Sequence, residues 1–182
     1  MLFVRKGVTL EPLLFGGPQE RQRRAGTENV AGVVGLGTAA GLAAEWLAGE
    51  GSAVLQQLRN RLQDGLVAAV PGAVVNSAGA PRMNNTLNLR FPGVDAEQVL
   101  IALDLQGVSA SFGAACQSGA TEPSHVLLAM GLTPEQARSS VRFSLSRLTT
   151  SEEVERALEI IPAAVARLLS LRSPHAVLVR AG

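Results

Sequence analysis

Two short runs constrain this chain more than anything else in it: Thr86-Leu87-Asn88-Leu89-Arg90-Phe91 and Val141-Arg142-Phe143-Ser144-Leu145. Both alternate apolar and polar residues. In an extended backbone Leu87, Leu89 and Phe91 face one way, and so do Val141, Phe143 and Leu145. Strands of this kind bury one face, so the chain must supply helices to cover it. Leu55, Leu58, Leu62 and Leu66 recur at helical spacing before Pro71-Gly72 ends the run. Val74-Val75 begins a short strand. Asp95 is placed to cap a helix through Leu105, with Gly107 where a C′ residue belongs. Val108-Ser109-Ala110 restarts a strand, and Pro123-Ser124 opens a short helix through Met130. Thr150 and Glu153 form a capping box for a last helix bearing Val154, Leu158, Ile161, Val165 and Leu168, expected to bend at Pro162. From Gly51 onward the order is α, β, β, α, β, short α, β, α, which predicts an α+β layer with helices over a small sheet.

The residues before Gly51 read differently. Leu2-Phe3-Val4 looks like the end of a strand whose start is missing, which is expected of a truncated element. A Gly- and Arg-rich loop follows, Gly16-Gly17-Pro18-Gln19-Glu20-Arg21-Gln22-Arg23-Arg24-Ala25-Gly26-Thr27. Thr27 is expected to cap a helix from about Glu28 to Leu47. Val30, Val33 and Val34 lie on that helix, with Gly37 and Gly41 spaced for close backbone packing. Glu50-Gly51-Ser52 is the expected boundary between a segment 1–50 and a domain 51–182.

Composition removes several functions. With 182 residues the chain is long enough to bury a core, and its formal net charge is only +1. It has no tyrosine and one tryptophan, which argues against direct nucleic-acid binding by a basic, stacking surface. One cysteine, Cys116, cannot close an intrachain disulfide. With His125 and His175 far apart it cannot build a zinc cage, so no metal site is expected. The longest uncharged stretch, Val30 to Ala44, is expected to be too short for a bilayer, and Arg5-Lys6 follows the first apolar residues in the reverse order of a secretory leader. The expectation is a cytoplasmic protein in a reducing setting, with no membrane association.

Three features could carry chemistry. Cys116 lies among Ser111-Phe112-Gly113-Ala114-Ala115-Cys116-Gln117-Ser118-Gly119-Ala120, a composition open to two readings: a small core filler or an accessible thiol on a pliant loop. Arg142 is turned off the core face of its strand, where it is either a solvated edge residue or a rigidly held grip for a carboxylate. The loop Gly16 to Thr27 pairs glycines and Arg21, Arg23 and Arg24 with a helix start. It is either a surface arginine loop or an anion site, though not a P-loop, since no Lys-Ser/Thr follows the glycines. His125 reads as packing or capping.

Taken in order, these segments resemble the cysteine desulfurases, pyridoxal-phosphate enzymes of the class V aminotransferase group. The resemblance rests on Leu2-Phe3-Val4-Arg5-Lys6-Gly7, Gly16-Gly17-Pro18-Gln19-Glu20-Arg21 through Arg24-Ala25-Gly26-Thr27-Glu28-Asn29, and Asn85-Thr86-Leu87-Asn88. It continues through Ala115-Cys116 to Glu122-Pro123-Ser124-His125-Val126-Leu127 and ends at Val141-Arg142-Phe143-Ser144-Leu145 with Arg147. It implies an α/β fold, the C-terminal part of a fold-type I PLP enzyme. Residues 1–50 would be an end piece of the large cofactor-binding domain, and 51–182 the small α+β domain with the catalytic-cysteine loop.

The resemblance also implies roles. Cys116 would attack the sulfur of L-cysteine bound to pyridoxal 5′-phosphate, giving a persulfide and alanine. Arg142 and Asn85 would bind the substrate, Arg142 by its carboxylate. Thr27 would reach the cofactor phosphate of a neighbouring subunit, making a homodimer part of the site. An iron–sulfur scaffold or a thiolation protein would accept the sulfur. Pro18, Gln22, Asn84, Phe112, Ala114 and Ser146 depart from the family pattern without removing a group that the mechanism needs. The larger departure is the Schiff-base lysine, which the resemblance puts upstream of the first residue. Lys6, the only lysine, matches a strand-end position instead. The chain alone is therefore expected to be inactive, because substrate carbanion formation needs the cofactor's electron sink and a lysine base. The alternatives are a non-enzymatic sulfur-carrier or partner-docking module, and an α/β domain with an unrelated anion site at Gly16 to Thr27.

Overall fold

The computed structural model describes residues 2–112 and 123–172. Cys116 and the tail from 173 lie outside the described residues. The chain divides into two compact units, Met1–Gly49 and Glu50–Gly182.

In the first unit the Gly/Arg loop is a small antiparallel hairpin of β1 (Pro18–Gln19) and β2 (Arg24–Ala25). Its turn holds three consecutive non-glycine residues in the left-handed region, Glu20, Arg21 and Gln22, at φ 51°, 57° and 67°. Each of these backbones lies about 1–2 kcal/mol above a right-handed one. Leu2-Phe3-Val4 forms no strand, because no described residue pairs with it. Helix α1 runs Val30–Ala48, and its cap is Asn29 rather than Thr27: the Asn29 side chain accepts from Gly32 N at 2.9 Å. A carboxamide one turn from the first free N–H does the work expected of the threonine. The apolar stretch thought too short for a bilayer continues past Glu45 to 19 residues, enough by length and composition alone to cross a membrane. None of its side chains is buried.

The second unit is a four-stranded antiparallel sheet with helices over one face. Its strands are β3 (Val74–Val75), β4 (Thr86–Arg90), β5 (Ser111–Phe112) and β6 (Ser140–Ser144), in the order β3-β4-β6-β5. The two alternating runs are the central pair, in register Leu87↔Phe143 and Leu89↔Val141. Leu87, Leu89, Phe91, Val141, Phe143 and Leu145 are buried. They meet α2 (Gly51–Ala69) through Leu55, Leu62 and Leu66, and α3 (Ala96–Asp104) through Ala96, Val99 and Leu103. Val154, Ile161, Ala164 and Val165 of α6 (Ser151–Arg172) complete the layer. Each fully buried leucine, isoleucine or phenylalanine contributes about 1.5–3 kcal/mol. Gly65 admits α6 closely: a Cβ there would stand 2.5 Å from Leu158 Cδ2.

Local signals set the ends. Asp95 accepts from Glu97 N at 2.9 Å, and Gly107 adopts φ +77° just beyond α3. The α6 capping box forms in full, with Glu153 N to Thr150 Oγ1 at 3.2 Å and Thr150 N to Glu153 Oε2 at 2.9 Å. Pro162 lies inside α6, which continues to Arg172. Two expectations shift. The strand placed at Val108–Ala110 is β5, three residues later, where it can pair with β6. The short helix α4 is His125–Ala129, and a second one, α5 (Pro134–Arg138), stands before β6. Thr133 and Gln136 give α5 a capping box with Pro134 in its first turn.

Candidate active site

Arg142 is the centre of the candidate site in the second unit. Strand β6 is paired on both sides, and the register sets Asn88 of β4 and Ser111 of β5 directly opposite Arg142. All three belong to the sheet face turned away from the apolar core. Arg142 is half-buried, and its Nε is fully shielded from solvent with no hydrogen-bond partner among the described residues. A shielded charged donor without an acceptor is an unfavourable arrangement, relieved by a ligand that brings the acceptor. A guanidinium fixed on a central strand suits a planar two-oxygen anion, a carboxylate above all.

Strand β5 ends at Phe112, opposite Val141, and the residues after it are those of the segment that carries Cys116. Beyond that segment Ser124 is buried and precedes α4. The cysteine itself lies outside the described residues. His125 is exposed at the start of α4.

Asn85 stands at the mouth of β4 and ties down the end of β6. Its Nδ2 donates to Leu145 O at 3.2 Å, its Oδ1 accepts from Thr86 Oγ1 at 3.0 Å, and its carbonyl accepts from Leu145 N at 2.8 Å. The register brings Asn88, not Asn85, beside Arg142. Asn88 alternates off the core as Arg142 does, so the run Leu87-Asn88-Leu89 already carried the signal that would have found it.

A buried polar chain lies behind Asn88. Asn76 Nδ2 donates to Asn88 Oδ1 at 2.6 Å and to Ser140 Oγ at 2.9 Å, and Ser140 Oγ donates to Gln136 O of α5 at 2.7 Å. Asn76 N also donates to Asn88 O at 2.9 Å. No local pattern in the sequence announces this chain, because its members come from four separate segments.

In the first unit Thr27 is exposed, and its carbonyl accepts from Arg24 Nη1 at 3.3 Å. Arg21 and Arg23 are exposed around the left-handed turn, and Lys6 is exposed nearer the N-terminus. The hairpin thus offers guanidinium and hydroxyl donors to an anion, and the one lysine stands apart from it in sequence.

The family description Aminotransferase class-V matches residues 2–157, most of the chain and both units. The chain belongs to the class-V aminotransferase family. Within it, the cysteine desulfurase of Trichormus azollae is 48% identical over 172 residues, which is 93% of this chain and 42% of that relative. Cysteine desulfurase NifS of Azotobacter vinelandii is 45% identical over 175 residues, 96% of this chain and 43% of the relative. The chain therefore spans less than half the length of these curated relatives. A solved NifS-like protein superposes with a TM-score of 0.79 at 34% identity, covering 91% of this chain and 42% of that one. The α/β fold is that of these class-V proteins. The match also runs through α1.

Proposed function

We propose that this chain supplies the sulfur-accepting and substrate-gripping groups of a cysteine desulfurase. The observation that carries the reading is Arg142: a half-buried guanidinium with an unpartnered Nε, on a strand whose neighbour β5 leads into the Cys116 segment. Its similarity to cysteine desulfurases from several bacteria supports the same reading.

In this proposal Arg142 takes the carboxylate of L-cysteine, and Asn85, with one amide N–H still to give, holds the end of the strand that carries it. The Cys116 thiolate attacks the sulfur of the substrate. A sulfur–sulfur bond forms as the substrate's carbon–sulfur bond breaks. The electron pair stays on carbon, which takes a proton, so the products are alanine and a Cys116 persulfide. Pyridoxal 5′-phosphate, when bound, supplies the electron sink that makes this cleavage accessible. The residues here fit only part of such a cofactor site. Thr27 and the hairpin arginines offer donors of the kind that a phosphate takes. The amine is lacking, since the sole lysine, Lys6, is exposed on the segment before the hairpin. A second polypeptide that brings the amine would complete the site, and a homodimer would carry Thr27 to the neighbouring subunit's phosphate. The persulfide would then pass to an iron–sulfur scaffold or a thiolation protein. A cytoplasmic, reducing setting keeps the single cysteine a thiol.

The test is complementation. The chain is co-purified with a polypeptide covering the region of a related cysteine desulfurase that it does not match, and given pyridoxal phosphate and L-cysteine. Alanine should form and should disappear in C116S. Alanine formation that survives C116S in the assembled complex would overturn the reading. No alanine in the assembled complex, together with a persulfide on Cys116 loaded by an inorganic polysulfide, which gives up one sulfane sulfur and leaves one atom shorter, would favour a sulfur-carrier module instead.

A further inference from the structure

We propose that Asn88 is a second carboxylate-binding residue beside Arg142, and that Asn76 and Ser140 fix its amide with the N–H groups outward. The inference deepens the proposed function and rests on its reading of Arg142 as the carboxylate grip.

The amide's polarity follows from one carbonyl. Gln136 O can only accept, and Ser140 Oγ lies 2.7 Å from it, so the single hydroxyl proton of Ser140 goes there. The Asn76 atom 2.9 Å from Ser140 Oγ must then be a donor, its Nδ2. The Asn88 atom 2.6 Å from that Nδ2 must in turn be an acceptor, Oδ1. Reversing both amides would leave Ser140 with two acceptors and one proton. The network therefore selects one orientation, as such assignments require. The Asn76 N to Asn88 O bond at 2.9 Å holds the backbone in the same relation.

With Oδ1 turned to Asn76, the Nδ2 of Asn88 is left for the open face of the sheet, and no described residue accepts from it. Residues directly opposite on antiparallel strands hold their Cβ atoms about 4.5–5.5 Å apart. Asn88 and Arg142 are such a pair. Asn88 and Arg142 together offer N–H donors only, an amide NH₂ beside a guanidinium, while the Ser111 hydroxyl on the other side of Arg142 can give or take. The pair accepts a carboxylate better than a carboxamide, whose own NH₂ would meet these donors. Asn88 is thus a specificity-determining contact, and Asn76 and Ser140 are positioning residues that act through it.

Calorimetry on the full chain tests this with two probes, L-cysteine and L-cysteinamide, which differ in the anionic carboxylate. The wild type should prefer L-cysteine. N88S should weaken L-cysteine binding ~10- to ~100-fold, the loss of one hydrogen bond to a charged group, and leave L-cysteinamide unchanged. N76D places an acceptor where the Asn76 donor stood and turns the Asn88 amide around, so it should lose the same preference although Asn76 touches no ligand. Thermal melts by circular dichroism confirm that each variant is folded, and S140A replaces N76D if the latter is not. If R142A abolishes the preference for L-cysteine and folded N88S retains it, the role of Asn88 is overturned while the reading of Arg142 stands. If R142A also retains it, both fall.

Discussion

Replacing Arg59 by methionine should make the protein more stable. Arg59 lies on the inner side of α2 among Leu55, Leu62 and Leu66 and is only 4% exposed. Its Nε and Nη1 are shielded and have no hydrogen-bond partner among the described residues. Burial holds its pKa below the ordinary arginine value. Arg82 pushes in the same direction, and Asp64 opposes them weakly. A buried donor left unsatisfied costs about 1–3 kcal/mol. Exchanging buried ion pairs for apolar residues of similar volume is often neutral or stabilising by about 1–4 kcal/mol, and Arg59 has no partner among the described residues to lose. Methionine keeps the length of the aliphatic stem, so the packing of α2 is retained. R59M should therefore gain ~1–4 kcal/mol. Urea unfolding followed by circular dichroism would report this as a higher midpoint with an unchanged m-value. A loss of 1 kcal/mol or more, in that same assay, would mean that the guanidinium has an acceptor, and the reasoning would fail. R82M should fall short of R59M, since it relieves the like charge but removes the bond that Arg82 Nη1 donates to Gln63 Oε1 at 2.9 Å.

Other outcomes follow from single contacts. T150A removes one half of the capping box at the start of α6 and should cost ~1 kcal/mol in the same assay, with T150S close to wild type. Glu155 accepts from Arg61 Nε at 2.7 Å and Nη2 at 2.8 Å, which holds its carboxyl below the ordinary glutamate range. A carboxyl depressed in the folded state adds stability that is present above its unfolded pKa and lost as pH falls through the folded one. E155Q should thus lose that increment at neutral pH and converge with the wild type in acid, which flattens the acid limb of the stability–pH curve. A steeper acid limb in E155Q would contradict this. Val30, Val33, Val34 and Leu36 of α1 are exposed, so the chain on its own should self-associate through an apolar surface. V34K should reduce that association in light scattering, and a monodisperse wild-type monomer would count against it.

The central strands were legible because alternation is a direct readout of a one-sided sheet, and every residue assigned inward in those two runs is buried. The caps at Asp95 and Thr150 were legible for the same reason, since each is a local hydrogen bond written within three residues. Strand order was not, because the β3-β4-β6-β5 arrangement depends on pairings between segments far apart in sequence. Thr27 is not the cap because the helix begins two residues later than the pattern suggests, where Asn29 takes Gly32 N. Helix α5 escaped notice although Thr133-Pro134-Glu135-Gln136 spells its capping box, since five residues carry no periodicity. Arg142 could be turned outward by parity alone. Asn85 could not be separated from Asn88 by motif, and only the register sets Asn88 opposite the arginine.

The most direct measurement is intact-protein mass spectrometry of the complemented chain after exposure to L-cysteine and pyridoxal phosphate. The expected result is the mass of one added sulfur, removed by a reductant, mapped to the peptide containing Cys116, and diminished in R142A. An unmodified Cys116 in a complex that nonetheless releases alanine would contradict the assignment of this chain as the sulfur acceptor.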